Sequence, residues 1–207
     1  MTDPFPRTDK HADYLKRRGD RIVSLNGQIR EAFPGNQPVT LEVGCGHGHY
    51  LTAYAEQHPE ANCLGIDIVS KRIRKACEKR DKRHLENLHF LKAEVQECLQ
   101  AWPAEVPVER IFILFPDPWP KKRHTKNRII QADLLDRLAR LGTPGAVLHF
   151  RTDHRANFDW CSEVIADHPL WLVQADAPWP FENPSFFQNL FAEYYSLTAL
   201  LADIEAG

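Results

Sequence analysis

The sequence lacks several features that would place it in other protein classes. No apolar stretch is long enough to span a membrane, and the N-terminal residues lack the apolar segment of a secretory signal, which predicts a cytoplasmic protein. The five cysteines form no Cys-x-x-Cys pair, so free thiols are favoured over a disulfide framework or a zinc site. No repeat or low-complexity segment occurs. With 43% hydrophobic and 26% charged residues, the 207-residue chain is predicted to form one globular domain.

Basic residues are absent from the C-terminal part of the chain, where no Lys or Arg follows Arg155. Residues 1–128 carry 22 Lys and Arg against 17 Asp and Glu, whereas residues 129–207 carry 4 against 11. The formal net charge is −2. Because the positive charge is concentrated in one part of the chain, one face can bind a polyanion although the whole protein is slightly negative.

Strand and helix patterns alternate along the chain. Helices are predicted at about 9–32, 49–57, 70–84, 94–102, 129–141 and 154–167, and strands at 39–43, 62–66, 88–91, 110–115, 146–151, 171–174 and 191–200. Continuous apolar strands separated by helices predict an α/β fold with a mostly parallel, doubly wound sheet. The last two strands have no helix pattern between them, which predicts a C-terminal antiparallel hairpin at one edge. We expect a single domain over 1–207 with an N-terminal helical extension at about 1–35.

A glycine-rich loop follows the first predicted strand and opens a helix. Gly44, Gly46 and Gly48 allow a sharp turn and the close approach of a ligand. The spacing is GxGxG rather than the GxGxxG of dinucleotide sites, and the lysine of a P-loop is missing. Asp67 ends the second strand and Glu94 follows the third. All of these positions lie at the carboxyl ends of strands, where open α/β sheets bind ligands.

The ligand indicated by this loop is a nucleoside without a diphosphate. Asp67 suits hydrogen bonds to ribose hydroxyls, and Glu94 is placed to reach an adenine. Glu42 and Asp117 supply carboxylates for a sulfonium, so S-adenosylmethionine (SAM) fits better than NAD. The structural alternative is a tight turn with Asp67 as a helix N-cap. His47 and His49 flank Gly48 in a pattern poor for metal binding, and no metal site is predicted.

A stiff loop with the sequence Phe-Pro-Asp-Pro-Trp-Pro occupies 115–120. Asp117 and Trp119 suit a planar base, since the carboxylate accepts N–H groups and the indole stacks; a purely structural turn is the alternative. Five of the eight residues in 121–128 are Lys or Arg, which favours phosphate binding. For the basic run 71–83, a solvated helix face and a phosphate-binding surface are equally good interpretations.

Three motifs resemble those of the bacterial tRNA (guanine-N7)-methyltransferases, which modify guanine 46 in the variable loop. They are LEVGCGHG at 41–48, FPDPWPKKRHTKNR at 115–128 and RTD at 151–153, together with Asp67 and Glu94. The second motif is the most specific, and the similarity covers about 39–160. The resemblance implies a class I (Rossmann-like) methyltransferase that transfers a methyl group from SAM to guanine N7 in tRNA, acting as a monomer or homodimer.

The resemblance also implies roles for individual residues. Asp117 would be catalytic. Contacts to SAM would come from Glu42, Gly44, Gly46, Gly48, Asp67, Glu94 and Asp117; contacts to the substrate nucleotide from Lys121, Asp153 and Glu182; and contacts to RNA from Arg123, His124, Lys126 and Arg128.

The C-terminal segment departs from the family pattern. Trp179-Pro-Phe-Glu182 stands where the family has Thr-x-Phe-Glu followed by a basic residue, which puts the substrate contacts of this segment in question. This departure leaves open a non-catalytic SAM- and RNA-binding partner subunit, and the Asp-Pro-aromatic loop at 117–119 leaves open a SAM-dependent amino-methyltransferase acting on adenine or protein.

Overall fold

The computed structural model describes residues 10–182 and 193–203, and all structural statements concern these residues. The helices are α1 (Lys10–Ala32), α2 (His49–Gln57), α3 (Ser70–Lys82), α4 (Val95–Ala101), α5 (Ala132–Leu141) and α6 (Arg155–Ala166), with a 3₁₀ helix at Lys122–Asn127. The strands are β1 (Val39–Val43), β2 (Asn62–Asp67), β3 (Leu88–Lys92), β4 (Val108–Leu114), β5 (Gly142–Thr152), β6 (Trp171–Gln174) and β7 (Tyr195–Leu201).

The seven strands form one sheet in the order β3-β2-β1-β4-β5-β7-β6. The first five strands in this order pair in parallel, and β7 pairs antiparallel with both β5 and β6. The predicted fold class and the C-terminal antiparallel hairpin are therefore confirmed. The last strand starts at Tyr195 rather than 191, and the predicted positions 191 and 192 lie outside the described residues.

Helices cover the sheet, and its central strands are buried. All five residues of β1 are buried, including the polar residues Thr40 and Glu42, as are Ile111, Phe112 and Ile113 of β4, so both faces of these strands are covered. The helix α1 adds Leu25 and Ile29 to the core. It is also fixed to α4 by Arg21, whose guanidinium donates to both carboxylate oxygens of Glu97 at 2.8 and 2.6 Å.

The strand order reverses between the parallel neighbours β1 and β4: β2 and β3 follow on the side of β1, and β5 follows on the side of β4. A cleft therefore opens at the carboxyl ends of β1 and β4. The glycine loop folds over this edge, where the backbone N–H groups of Gly44 and Cys45 both donate to the Ile66 carbonyl at 2.9 Å. Gly48 begins α2 with φ of +68°, and an added Cβ would lie 2.6 Å from Phe90 Cζ. A glycine at position 48 therefore lets α2 start in close contact with β3.

No helix in the described part of the chain is both long and apolar enough to cross a membrane.

Candidate cofactor and base-binding cleft

The cleft at the carboxyl ends of β1, β2 and β4 has two lobes. The Asp67 lobe is lined by Ile66, Asp67, Ala93, Glu94, Trp119 and Lys126. The Glu42 lobe is lined by Glu42, Cys45, Gly46, Tyr50, Arg151 and Trp179. Gly44, Arg72, Leu114, Phe115 and Asp117 line both lobes. The sheet therefore brings the predicted SAM residues Glu42, Gly44, Gly46, Asp67, Glu94 and Asp117 to one cleft, whereas Gly48 is buried behind it.

Asp67 organises the loops around its lobe. One carboxylate oxygen, Oδ2, accepts the backbone N–H of Gly46 at 3.1 Å, and the other, Oδ1, accepts that of Val69 at 2.7 Å. Arg72 approaches Oδ2 at 3.4 Å. Val69, not Asp67, occupies the N-cap position of α3, so Asp67 ties the glycine loop to the end of β2 instead of capping the helix.

Glu94 lines the Asp67 lobe from the N-terminus of α4. It is the N-cap residue of this helix, and its Oε2 accepts the backbone N–H of Glu97 at 3.0 Å. This bond fixes the carboxylate at the rim of the lobe beyond β3, where the strand pattern places it.

Glu42 is a buried acid in the cleft, and its pKa is strongly raised. Glu42 is only 3% exposed, and its Oε2 has no hydrogen-bond partner among the described residues. Burial, with a smaller contribution from the charge of Asp67, raises the pKa of Glu42 to about 8, against the opposing effect of the Leu51 backbone N–H. A buried carboxyl group with an unpartnered oxygen beside a cleft suits a cationic ligand.

The proline loop places Asp117 between the two lobes. Phe115 and Trp119 have φ of 48° and 42°, conformations that non-glycine residues rarely adopt. Such strain persists only where the surroundings enforce it. Here the N–H of Phe115 donates to the Arg151 carbonyl at 2.7 Å, and Nε of Arg128 donates to the Pro118 carbonyl at 3.1 Å. Asp117 is exposed at the tip of this fixed loop.

Arg128, which is predicted to contact RNA, lies almost entirely inside the protein. The residue is 7% exposed, and its guanidinium carbon lies 5.4 Å from the centre of the Trp160 ring. Besides Pro118, it donates to the Ala156 carbonyl at 3.4 Å. Arg128 thus connects the proline loop to α6 and also lines the Asp67 lobe, and its contact with RNA stays a prediction.

The other predicted RNA-binding residues lie at the protein surface. Arg123 and Lys126 are exposed on the 3₁₀ helix, and Lys126 lines the Asp67 lobe. His124 is half-buried and meets the Trp119 ring edge-on, with ring centres 5.8 Å apart. The 3₁₀ helix therefore presents basic side chains beside the aromatic residue of the proline loop.

Of the three residues predicted to bind the substrate nucleotide, Glu182 is held by Arg151. The two guanidinium nitrogens Nη1 and Nη2 donate to the carboxylate of Glu182 at 3.1 and 2.9 Å. The Arg151 side chain is 3% exposed and lies over the rings of Trp179 and Tyr194, at 3.8 and 4.4 Å from their centres. Arg151 therefore fastens the C-terminal segment to the end of β5.

Lys121 and Asp153 do not line either lobe. Lys121 is exposed just before the 3₁₀ helix, and Asp153 is half-buried just after β5. Their predicted contacts to the substrate nucleotide would thus be made at the rim of the cleft.

Comparison with solved structures defines the class of this fold. The chain superposes on a 16S rRNA (adenine(1408)-N(1))-methyltransferase from Catenulisporales acidiphilia, solved with SAM, with a TM-score of 0.58 and 18% identity over 88% of this chain and 93% of that one. An rRNA methylase from Streptococcus thermophilus gives 0.56 and 10%, covering 82% and 89%. The fold is that of the class I SAM-dependent methyltransferases.

Sequence comparison identifies the family. Residues 36–196 match the family described as "Putative methyltransferase". The tRNA (guanine-N(7)-)-methyltransferase of Halalkalibacterium halodurans is 33% identical over 186 residues, covering 88% of this chain and 83% of that protein. The enzyme of the same name from Listeria monocytogenes is 29% identical, covering 89% of each chain. The chain belongs to this methyltransferase family and, within it, to the tRNA (guanine-N7)-methyltransferases.

The extent of the match varies among the relatives. The tRNA (guanine-N(7)-)-methyltransferase of Lachnoclostridium phytofermentans is 35% identical over 140 residues, which is 67% of this chain and 64% of that protein. The stronger identity thus lies in a shorter segment of the chain.

Proposed function

We propose that this protein transfers the methyl group of SAM to N7 of a guanine in tRNA, at position 46 as the resemblance predicts, in the cytoplasm. The observation that carries this proposal is the place of Asp117, which lines both lobes of the cleft on a strained, fixed loop. The basic 3₁₀ helix follows this loop directly. A carboxylate at the junction of the two lobes, beside basic side chains, suits methylation of a nucleic-acid base.

The residues present fit SAM. The unpartnered, buried oxygen of Glu42 is suited to a cation, and an added Cβ at Gly44 or Gly46 would meet no atom within 4 Å, so the loop leaves room for a ligand. Asp67 and Glu94 line the other lobe, where a ribose and a base would be held. When bound, SAM supplies a methyl group activated by its positively charged sulfur.

The nucleophile requires little proton chemistry from the protein. Guanine N7 carries a lone pair in the plane of the ring, so no base has to remove a proton before methylation. The task of the protein is then to align the base and to stabilise developing charge. Asp117 would accept N–H groups of the guanine and stabilise the positive charge that the base gains. Phe115 and Trp119, on either side of Asp117, would exclude water.

Methyl transfer to unmodified tRNA tests the proposal. With isotope-labelled SAM, we expect label in tRNA, in a guanine whose methylation makes the chain cleavable by mild alkali and aniline at position 46. A transcript with adenine at position 46 serves as the matched control and should accept no label there. Label in an adenine amino group or in protein would favour the amino-methyltransferase alternative. Binding of both SAM and tRNA without any transfer would favour the non-catalytic subunit.

The raised pKa of Glu42 predicts that SAM binding depends on pH. Below about pH 8 the carboxyl group is largely protonated in the free protein, and a cation bound beside it would favour the ionised form. Binding should therefore release a proton, and SAM affinity should rise with pH by up to tenfold per unit until it levels off above about pH 8.

Calorimetric titration with SAM in buffers of different ionisation enthalpy measures this proton release. Glu42→Gln cannot ionise, so the part of the pH dependence due to the protein should disappear in this variant. Equal pH profiles of the wild-type protein and Glu42→Gln would show that Glu42 does not interact with the cation.

A further inference from the structure

The helix α3 presents a row of basic side chains along one flank. Arg72, Lys75 and Lys79 are spaced so that they lie on the same side of the helix, and they span about 10 Å at roughly 1.5 Å per residue. Ile73 and Ala76 turn to the core on the inner side. We define Arg72, Lys75 and Lys79 as the α3 basic row.

The acidic residues of α3 do not neutralise this row. Glu78 pairs with Arg74 at 3.7 Å, and Asp81 pairs with Arg80 at 2.6 Å. Within the row itself, Lys75 is exposed and forms no ion pair with any residue that the structure describes. Lys75 therefore carries a positive charge that no ion pair among the described residues compensates, whereas Arg72 of the same row pairs with Asp67 at 3.4 Å.

The row extends along the glycine loop. Lys79 Nζ donates to the His47 carbonyl at 2.6 Å and lies 3.0 Å from Nε2 of His49. Burial, followed by the positive charges of Lys79, Lys75 and Arg72, lowers the pKa of His47. The positive charge of the row therefore acts on His47, in the glycine loop that borders the cleft.

The first member of the row reaches the cleft itself. Arg72 lines both lobes and pairs with Asp67, whereas Lys126 of the 3₁₀ helix lines the Asp67 lobe. Basic side chains from two different elements thus border the same cleft.

We propose that the α3 basic row binds tRNA phosphates, so that the RNA is held at α3 as well as at the basic 3₁₀ helix. The inference rests on the proposed function, since a polyanionic substrate would supply the negative charge that Lys75 lacks. Phosphates neutralised by Lys and Arg release counterions, which links each contact to a measurable dependence on salt. Lys75 and Lys79, which line neither lobe of the cleft, would therefore contribute to tRNA affinity and not to the chemical step.

Lys75→Glu tests this proposal, with Arg74→Glu as the matched control. Both changes reverse one positive charge on an exposed residue of α3, but Arg74 lies outside the row and is paired with Glu78. We expect Lys75→Glu to weaken binding of tRNA about tenfold near 0.1 M salt and to reduce the slope of log affinity against log salt by about one. Arg74→Glu should change the affinity by less than about twofold, and both variants should bind SAM as the wild-type protein does.

Equal tRNA affinities in the two variants would overturn the inference, because net charge alone would then account for any change. Methyl transfer by the wild-type protein, measured in parallel, separates the two proposals. If the wild-type protein methylates tRNA while the variants bind it equally well, only the α3 proposal fails. If the wild-type protein neither binds nor methylates tRNA, the proposed function fails, and the α3 proposal fails with it.

Discussion

Replacing Asp117 by asparagine is expected to lower kcat for tRNA methylation by about a hundredfold or more, even when SAM and tRNA are both saturating. The amide keeps the shape of the side chain but loses the negative charge and one of the two acceptor oxygens. Removal of one preorganised electrostatic group from an active site typically has an effect of this size. Asp117 is exposed at the tip of a loop, so we expect little change in the free energy of unfolding.

Single-turnover methylation at saturating SAM and tRNA measures this effect without a contribution from product release. Asp176→Asn is a suitable control, since Asp176 is also an exposed acid on a loop but lies outside both lobes. A rate for Asp117→Asn close to that of the wild-type protein would exclude the catalytic role of Asp117.

Arg128→Lys should lower kcat by about tenfold or more, although Arg128 lies inside the protein. Lysine keeps the charge, but it cannot bridge the carbonyls of Pro118 and Ala156 or stack on Trp160 as a planar guanidinium does. Without this anchor, the strained proline loop would shift. Misplacement of a reacting group by about 1 Å can cost about a hundredfold in rate.

Arg110→Lys is the control that distinguishes a shift of the proline loop from a general loss of folding stability. Arg110 is another partly buried arginine that bonds the Tyr54 hydroxyl and lies over its ring, but it stands near the start of β4, at the opposite end from the cleft. We expect both variants to unfold at lower temperature and only Arg128→Lys to lose kcat, measured where both are fully folded. Equal losses of kcat would contradict a positioning role for Arg128.

Most of the fold follows from local patterns in the sequence. The buried run of β1 lies between Pro38 and the glycine loop, and α2 ends just before Pro59, so the predicted bounds of both elements agree with the structure. The segment 121–128 shows why charge patterns are less informative. It contains few apolar residues to define a period, and the 3₁₀ helix at Lys122–Asn127 was not predicted.

The predicted cleft residues follow from their places at strand ends, whereas the contacts of the arginines do not. The ion pair of Arg151 with Glu182 joins residues 31 positions apart. Arg128 contacts Pro118, which precedes it by 10 positions, and Ala156, which follows it by 28. Such contacts depend on tertiary structure. Arg151 belongs to the RTD motif and Arg72 to a basic run, so the sequence draws attention to both residues, but it does not predict the direction of their side chains.

The placement of β7 between β5 and β6 has a consequence for synthesis on the ribosome. Until residues 195–201 have emerged, β5 is an unpaired sheet edge, the kind of surface that promotes misassembly of nascent chains. The Asp67 lobe uses residues no later than Gln131, whereas the Glu42 lobe also needs Arg151 and Trp179. Vectorial folding would therefore supply the lining of the Asp67 lobe first, whereas the Glu42 lobe and the contacts of Arg151 and Ala156 that fix the proline loop need residues translated later.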